Sequence, residues 1–74
     1  MSVSQSYNDA KVTIRSAEGI ASVAILDLAG RVCYHENVNG SQKYLNVDIS
    51  RLSKGIYIAV VVTNSARYSS KVVR

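Results

Sequence analysis

Cys33 and His35 are the first residues to question, because a thiol and an imidazole two positions apart leave the same face of a strand. A structural metal site needs three or four ligands, and these are the only cysteine and the only histidine in the chain. Read as nucleophile and base, the pair lacks the enclosed pocket and oxyanion donors that acyl transfer requires. Asp27 and Asp48 are the carboxylates best placed for acid–base work, yet such a pair needs a cleft and strongly shifted pKa values. Each instead sits where an apolar run gives way to a turn, where aspartate bonds the backbone two residues on. The four glycines, at 19, 30, 40 and 55, lie too far apart for a phosphate loop. Asn39-Gly40-Ser41 fits a glycosylation acceptor and equally a turn with positive φ. Tyrosines 7, 34, 44, 57 and 68 could stack on bases or sugars, or cap a small core with their rings. No residue is assigned to catalysis, to a cofactor or to a metal.

The elements that must carry these residues are strands. Lys11–Arg15 alternates with Val12 and Ile14 inward, and Ser16–Gly19 reads as a turn. Ile20–Leu26 is a second strand, ending in the turn Asp27-Leu28-Ala29-Gly30. Arg31–Glu36 returns as its hairpin partner. Asn37–Gln42 is a connection, followed by Lys43–Ile49 with Leu45, Val47 and Ile49 inward and Tyr44, Asn46 and Asp48 outward. A short polar link with one buried-looking residue, Leu52, leads to Gly55, placed where a φ open only to glycine starts the next strand. In Ile56–Thr63 both faces are apolar, which places the strand mid-sheet with cover on each side. Asn64-Ser65 is a two-residue turn, and Arg67–Arg74 is the last strand. Met1–Ala10 reads either as an edge strand or as a linker remnant, ahead of a single domain at 11–74. The expectation is an all-β fold, a small Ig-like antiparallel β-sandwich of six to seven strands.

The totals agree with one small folded domain. Seventy-four residues with 47% hydrophobic and 19% charged side chains can build one thin core. The single cysteine excludes an internal disulfide, so packing alone must hold it. No apolar run reaches the roughly 18 residues of a membrane helix, and no secretory leader opens the chain. Nine Lys and Arg against five Asp and Glu give a net charge of +4. The cations are scattered singly, a pattern that protects strand edges more than it grips nucleic acid.

Three ordered segments resemble a known family. They are Val23–Val32 with its Asp27-x-x-Gly30-Arg31 turn; Leu45–Tyr57 with Asp48-Ile-Ser, Leu52 and Gly55-Ile-Tyr57; and the closing Ser70–Arg74. In this order they are similar to the C-terminal sorting domain, type A, of the type IX (Por) secretion system of Gram-negative bacteria, over about residues 11–74. The family's opening Asn-Pro element is missing, since the chain has no proline.

The resemblance implies a non-catalytic Ig-like domain at the end of a larger exported protein. Its partners would be the type IX translocon, outer-membrane shuttle components, a sortase-like signal peptidase and a covalently linked N-terminal cargo. The cargo would pass through the periplasm to the cell surface or the medium. Carried over by position, Lys71, Val72, Val73 and Arg74 would be read by the translocon as an accessible terminal strand, mattering more for function than for stability. Asp27, Gly30, Arg31, Asp48, Leu52, Gly55 and Tyr57 would hold the fold. The alternative is a surface adhesion or carbohydrate-binding sandwich, favoured if Tyr34, Tyr44 and Tyr57 share an exposed face. Nucleic acid ranks last, and an edge strand offers a route to a homodimer.

Overall fold

The computed structural model describes residues 1–74 as five antiparallel strands and no helix. They are β1 (Ser2–Ser6), β2 (Lys11–Asp27), β3 (Val32–Asp48), β4 (Ile56–Thr63) and β5 (Arg67–Val73). All belong to one curled sheet in which β2 is the spine. Its whole length pairs with β3 on one edge, while the other edge holds β1 along Lys11–Arg15 and β4 along Ile20–Asp27. β5 pairs with β4 alone.

The strand count is five rather than six or seven because Ser16–Gly19 and Asn37–Gln42 are strand, not turn. Each read as a break because it interrupts apolar alternation. In space the two irregularities compensate. Between Arg15 and Ile20 the extra residues lie on β2, and between Gln42 and Asn37 they lie on β3. Such bulges bend a ladder without ending it, so both long strands turn together and carry the sheet back over itself. Gly19 makes the bend feasible: a Cβ there would stand 1.5 Å from the Gly40 carbonyl oxygen. The β4–β5 turn then pins the corner. Asn64 donates from its main chain to Gly19 O and from its side chain to Gly40 O, each at 3.1 Å, while the Glu18 carboxylate accepts from Thr63 and Ser65.

The core lies inside this curl. Val12, Ile14, Val23 and Ile25 of β2, Leu45 and Val47 of β3, and Ile49 after it meet Tyr57, Ala59 and Val61 of β4 and Val72 of β5. Alternation in Lys11–Arg15 and Lys43–Ile49 points inward as the sequence predicts. Thirteen buried apolar residues form one cluster, at roughly 1.5–3 kcal/mol for each large side chain withdrawn from water.

One expectation about β4 needs correction. It lies mid-sheet between β2 and β5, but only Tyr57, Ala59, Val61 and Thr63 are buried. Ile58, Val60 and Val62 are half-buried and Ile56 is exposed, because a single curled sheet has one interior and nothing covers its outer side.

Candidate functional site

The three sequence segments meet at one end of the sheet. Tyr57 is the middle rung, paired with Asp27 of β2 on one side and with Val72 of β5 on the other. Its ring is buried and its hydroxyl donates to Ser53 O at 2.6 Å, so the link between Asp48 and Gly55 is tied to the strand it precedes. Leu52 is half-buried against the core, and its N–H closes a turn on Ile49 O at 3.0 Å.

Both aspartates act as turn acceptors. Asp27 Oδ1 accepts from the main-chain N–H groups of Ala29 and Arg31, and Oδ2 accepts from Arg31 Nε at 2.8 Å. Gly30 N–H completes the turn on Asp27 O. The Arg31 main-chain N–H, aided by its guanidinium, holds the Asp27 carboxyl below the usual carboxylate range. Asp48 accepts from the Ser50 N–H at 2.9 Å, and that bond lowers its pKa in the same way. Asp48 lines an open groove of about 380 Å³ with Cys33, Tyr34, Arg51 and Leu52, but no histidine and no second carboxylate lines it.

The terminal residues divide by face. Lys71 is exposed and Val73 half-buried on the outside, whereas Val72 is fully buried in the core. Arg74 is clasped: it exchanges main-chain bonds with Gly55 at 2.9 and 3.3 Å, and its guanidinium donates to Ile49 O and Ser50 O, each at 3.1 Å. Gly55 meets it with φ at +156°, a conformation that disfavours any side chain. A wholly accessible terminal strand therefore does not exist in the fold. Alternation in a curled sheet with one interior gives Val72 to the core, and Arg74 reaches two carbonyls of the turn, sharing Ile49 O with the Leu52 N–H.

Gln5 is the residue that sequence reasoning missed. Its side-chain amide donates to Val73 O at 2.7 Å and accepts from Val73 N–H at 3.0 Å, standing in for one peptide group of a neighbouring strand. The signal was its apolar-phase position among Ser2, Ser4 and Ser6. Beyond this rung β1 and β5 separate around a cleft of about 310 Å³ lined by Met1, Val3, Tyr68 and Ser70 among others.

Of the remaining candidates only Cys33 and Tyr34 share a groove, the one that Asp48 lines. Cys33 and His35 are exposed, and no three His, Cys, Asp or Glu side chains gather as metal ligands. Tyr34 donates to Glu36 at 2.5 Å; that bond, with desolvation, pushes its phenol up to about 12. Tyr44 is half-exposed on the far outer face, with the Arg15 guanidinium 5.1 Å from its ring centre. Because Tyr57 is buried, the three tyrosines form no common exposed platform.

Residues 8–74 match the family model described as the secretion system C-terminal sorting domain. No curated protein and no solved structure matches the chain.

Proposed function

This chain belongs to the family of secretion system C-terminal sorting domains, and from that premise we propose that it directs an attached N-terminal cargo across the outer membrane and is then cleaved off. Membership makes it a sorting-signal domain of type IX secretion, carried by a secreted protein. The finer steps are the proposal. The cargo transits the periplasm, the translocon and its outer-membrane shuttle components engage the terminal strand, and a sortase-like peptidase removes the domain. The domain itself performs no catalysis.

The observation that carries this reading is the union of the family's three segments through one rung, Asp27–Tyr57–Val72. The end of the chain is built into the fold by residues of the second segment, Ile49, Ser50, Gly55 and Tyr57, and the first segment joins through Tyr57. Recognition at Lys71–Arg74 is then recognition of a folded strand, in which Lys71 and Val73 face a partner while Val72 and Arg74 hold the strand in place. The adhesion or sugar-binding alternative loses its natural site with Tyr57 in the core.

The test is export of a fluorescent cargo with an ordinary N-terminal export signal, in a bacterium that has the type IX system. Residues 1–74 are fused at its C-terminus, alone or with Lys71→Glu and Val73→Glu together. Surface arrival is scored separately from cleavage. The reading expects the wild-type fusion at the surface and the double variant held in the periplasm with its fold intact. Retention of the wild-type fusion, while an established sorting domain exports the same cargo, would sink it.

A further inference from the structure

The two outer faces of this sheet differ sharply. Around β1 and the near ends of β2 and β3 the outward residues are polar, among them Ser2, Ser4, Thr13, Arg15, Asn46 and Asp48. The half built from β3, β2, β4 and β5 has a different outer face, which the pairing register lays out in rows. His35, Ala24, Val60 and Ser69 form one row; Val32, Leu26, Ile58 and Lys71 form the next; Ile56 and Val73 extend it, and Val62 and Arg67 lie at the other end. All of these side chains are half-buried or exposed.

A one-sided antiparallel sheet ordinarily turns polar residues to water. Here the outward positions of β4 are all branched apolar residues, and apolar neighbours on β2, β3 and β5 extend the stripe. The rows contain no carboxylate, while Lys71 and Arg67 stand along one side. A contiguous apolar face on a small domain marks a contact surface.

We propose that this face, centred on Ile58 and Val60 and flanked by Lys71 and Arg67, is a docking surface for a partner protein with an apolar patch and acidic residues beside it. The inference deepens the sorting reading and rests on it, since Lys71 and Val73 lie on this same face. The missing carboxylates leave the two cations without partners within the face, so an acidic rim on the other protein matches them. A second copy fits poorly, because self-association would set Arg67 and Lys71 against their own kind. With strands about 4.8 Å apart and same-face residues about 7 Å apart, the face spans about 15 by 20 Å. That is well under the roughly 800 Å² per partner of a stable complex, so the contact is one that forms and releases. A lipid surface fits less well, because interfacial anchoring relies on Trp and Tyr and no tyrosine lies in these rows.

The test uses the same cargo fusion with substitutions on the two outer faces. Val60→Lys and Lys71→Glu are expected to lower surface arrival at least about tenfold, the scale of a lost central contact, while Lys71→Arg and the opposite-face control Thr13→Lys keep it. Each chain is checked for a native thermal transition; if Val60→Lys fails to fold, Ser69→Glu on the exposed edge of the same rows replaces it. A photo-crosslinker at Val60 or Ser69 is expected to form a salt-sensitive adduct during export that one at Thr13 does not. Wild-type export with folded Val60 and Lys71 variants exported equally well would overturn this inference and leave the sorting reading standing. Failure of wild-type export would remove the reading itself. A dimer of the purified chain, or its binding to phosphatidylglycerol vesicles, would also overturn the proposal if Val60→Lys abolished it.

Discussion

Arg74 and Gly55 exchange both of their main-chain hydrogen bonds, at 2.9 and 3.3 Å. The last residue is thereby paired with the glycine that opens β4, and its guanidinium reaches further, to the carbonyls of Ile49 and Ser50. Under the proposed reading of Lys71–Arg74, recognition and stability share the same four residues, and the two must be separated by experiment.

Replacing Arg74 by Ala leaves two carbonyls without their charged donor. Hydrogen bonds to a charged group are worth about 1.5–3 kcal/mol net, so a loss of about 2 kcal/mol is expected. Chemical denaturation should show it as a lower midpoint with an unchanged slope. Arg74→Lys should recover only part, since one ammonium does not reproduce the fork. Deleting Lys71–Arg74 is a harsher change. It also empties the Val72 site in the core, enough to unfold a domain whose whole stability is of order 5 kcal/mol. Loss of export on deletion would therefore report unfolding, which is why single outward substitutions are the sharper tool.

Gln5→Ala should expose the Val73 N–H and C=O together. A cost of about 1 kcal/mol is expected for the lost rung, with faster hydrogen exchange at the Val73 amide and little change at Val72. Equal protection of Val73 in both proteins would show that the side-chain rung does not form in solution.

Gly19→Ala tests the corner. Its Cβ would collide with the Gly40 carbonyl oxygen, a main-chain atom that cannot swing aside. Overpacking of this kind costs about 3 kcal/mol or prevents folding, to be read from the thermal transition. Gly30→Ala meets no atom within 4 Å and is limited to the penalty of its positive φ.

Asp27 predicts an acid dependence of known sign. Its pKa is lowered in the folded chain, chiefly by the Arg31 N–H, below the ordinary value of 3.8. The stability it contributes is present above about pH 4. It is lost as pH falls through the folded pKa, when the protonated carboxyl stops accepting from Arg31 and Ala29. Asp27→Asn should flatten that part of the stability profile. A wild-type chain with no more acid sensitivity than the variant would contradict the assignment.

Local features of this fold were legible in the sequence, and relational ones were not. Alternation through Val12, Ile14, Leu45, Val47 and Ile49 is a property of each strand alone, and every one of these residues is buried. The Asp27–Gly30 turn and the role of Gly55 likewise rest on chemistry within a few residues. The bend at Ser16–Gly19 depends on a matching bulge in β3 some twenty positions away, so the sequence reads as a turn. Strand β4, apolar on both sides, reads as covered on both, although Val60 and its neighbours have nothing over them. Nothing local says that the Gln5 amide reaches Val73, or that Val72 belongs to the core while Lys71 does not.

The most direct test of the central claim is the surface arrival of a cargo that is not normally exported by this route. It is followed over time by accessibility to external protease, with and without residues 1–74 at its C-terminus. The account predicts that the fusion becomes protease-accessible in type IX-competent cells, remains protected in cells lacking the translocon, and that the bare cargo stays protected in both. Equal protection of fusion and bare cargo in competent cells, with the domain folded and an established sorting domain exporting the same cargo, would contradict it.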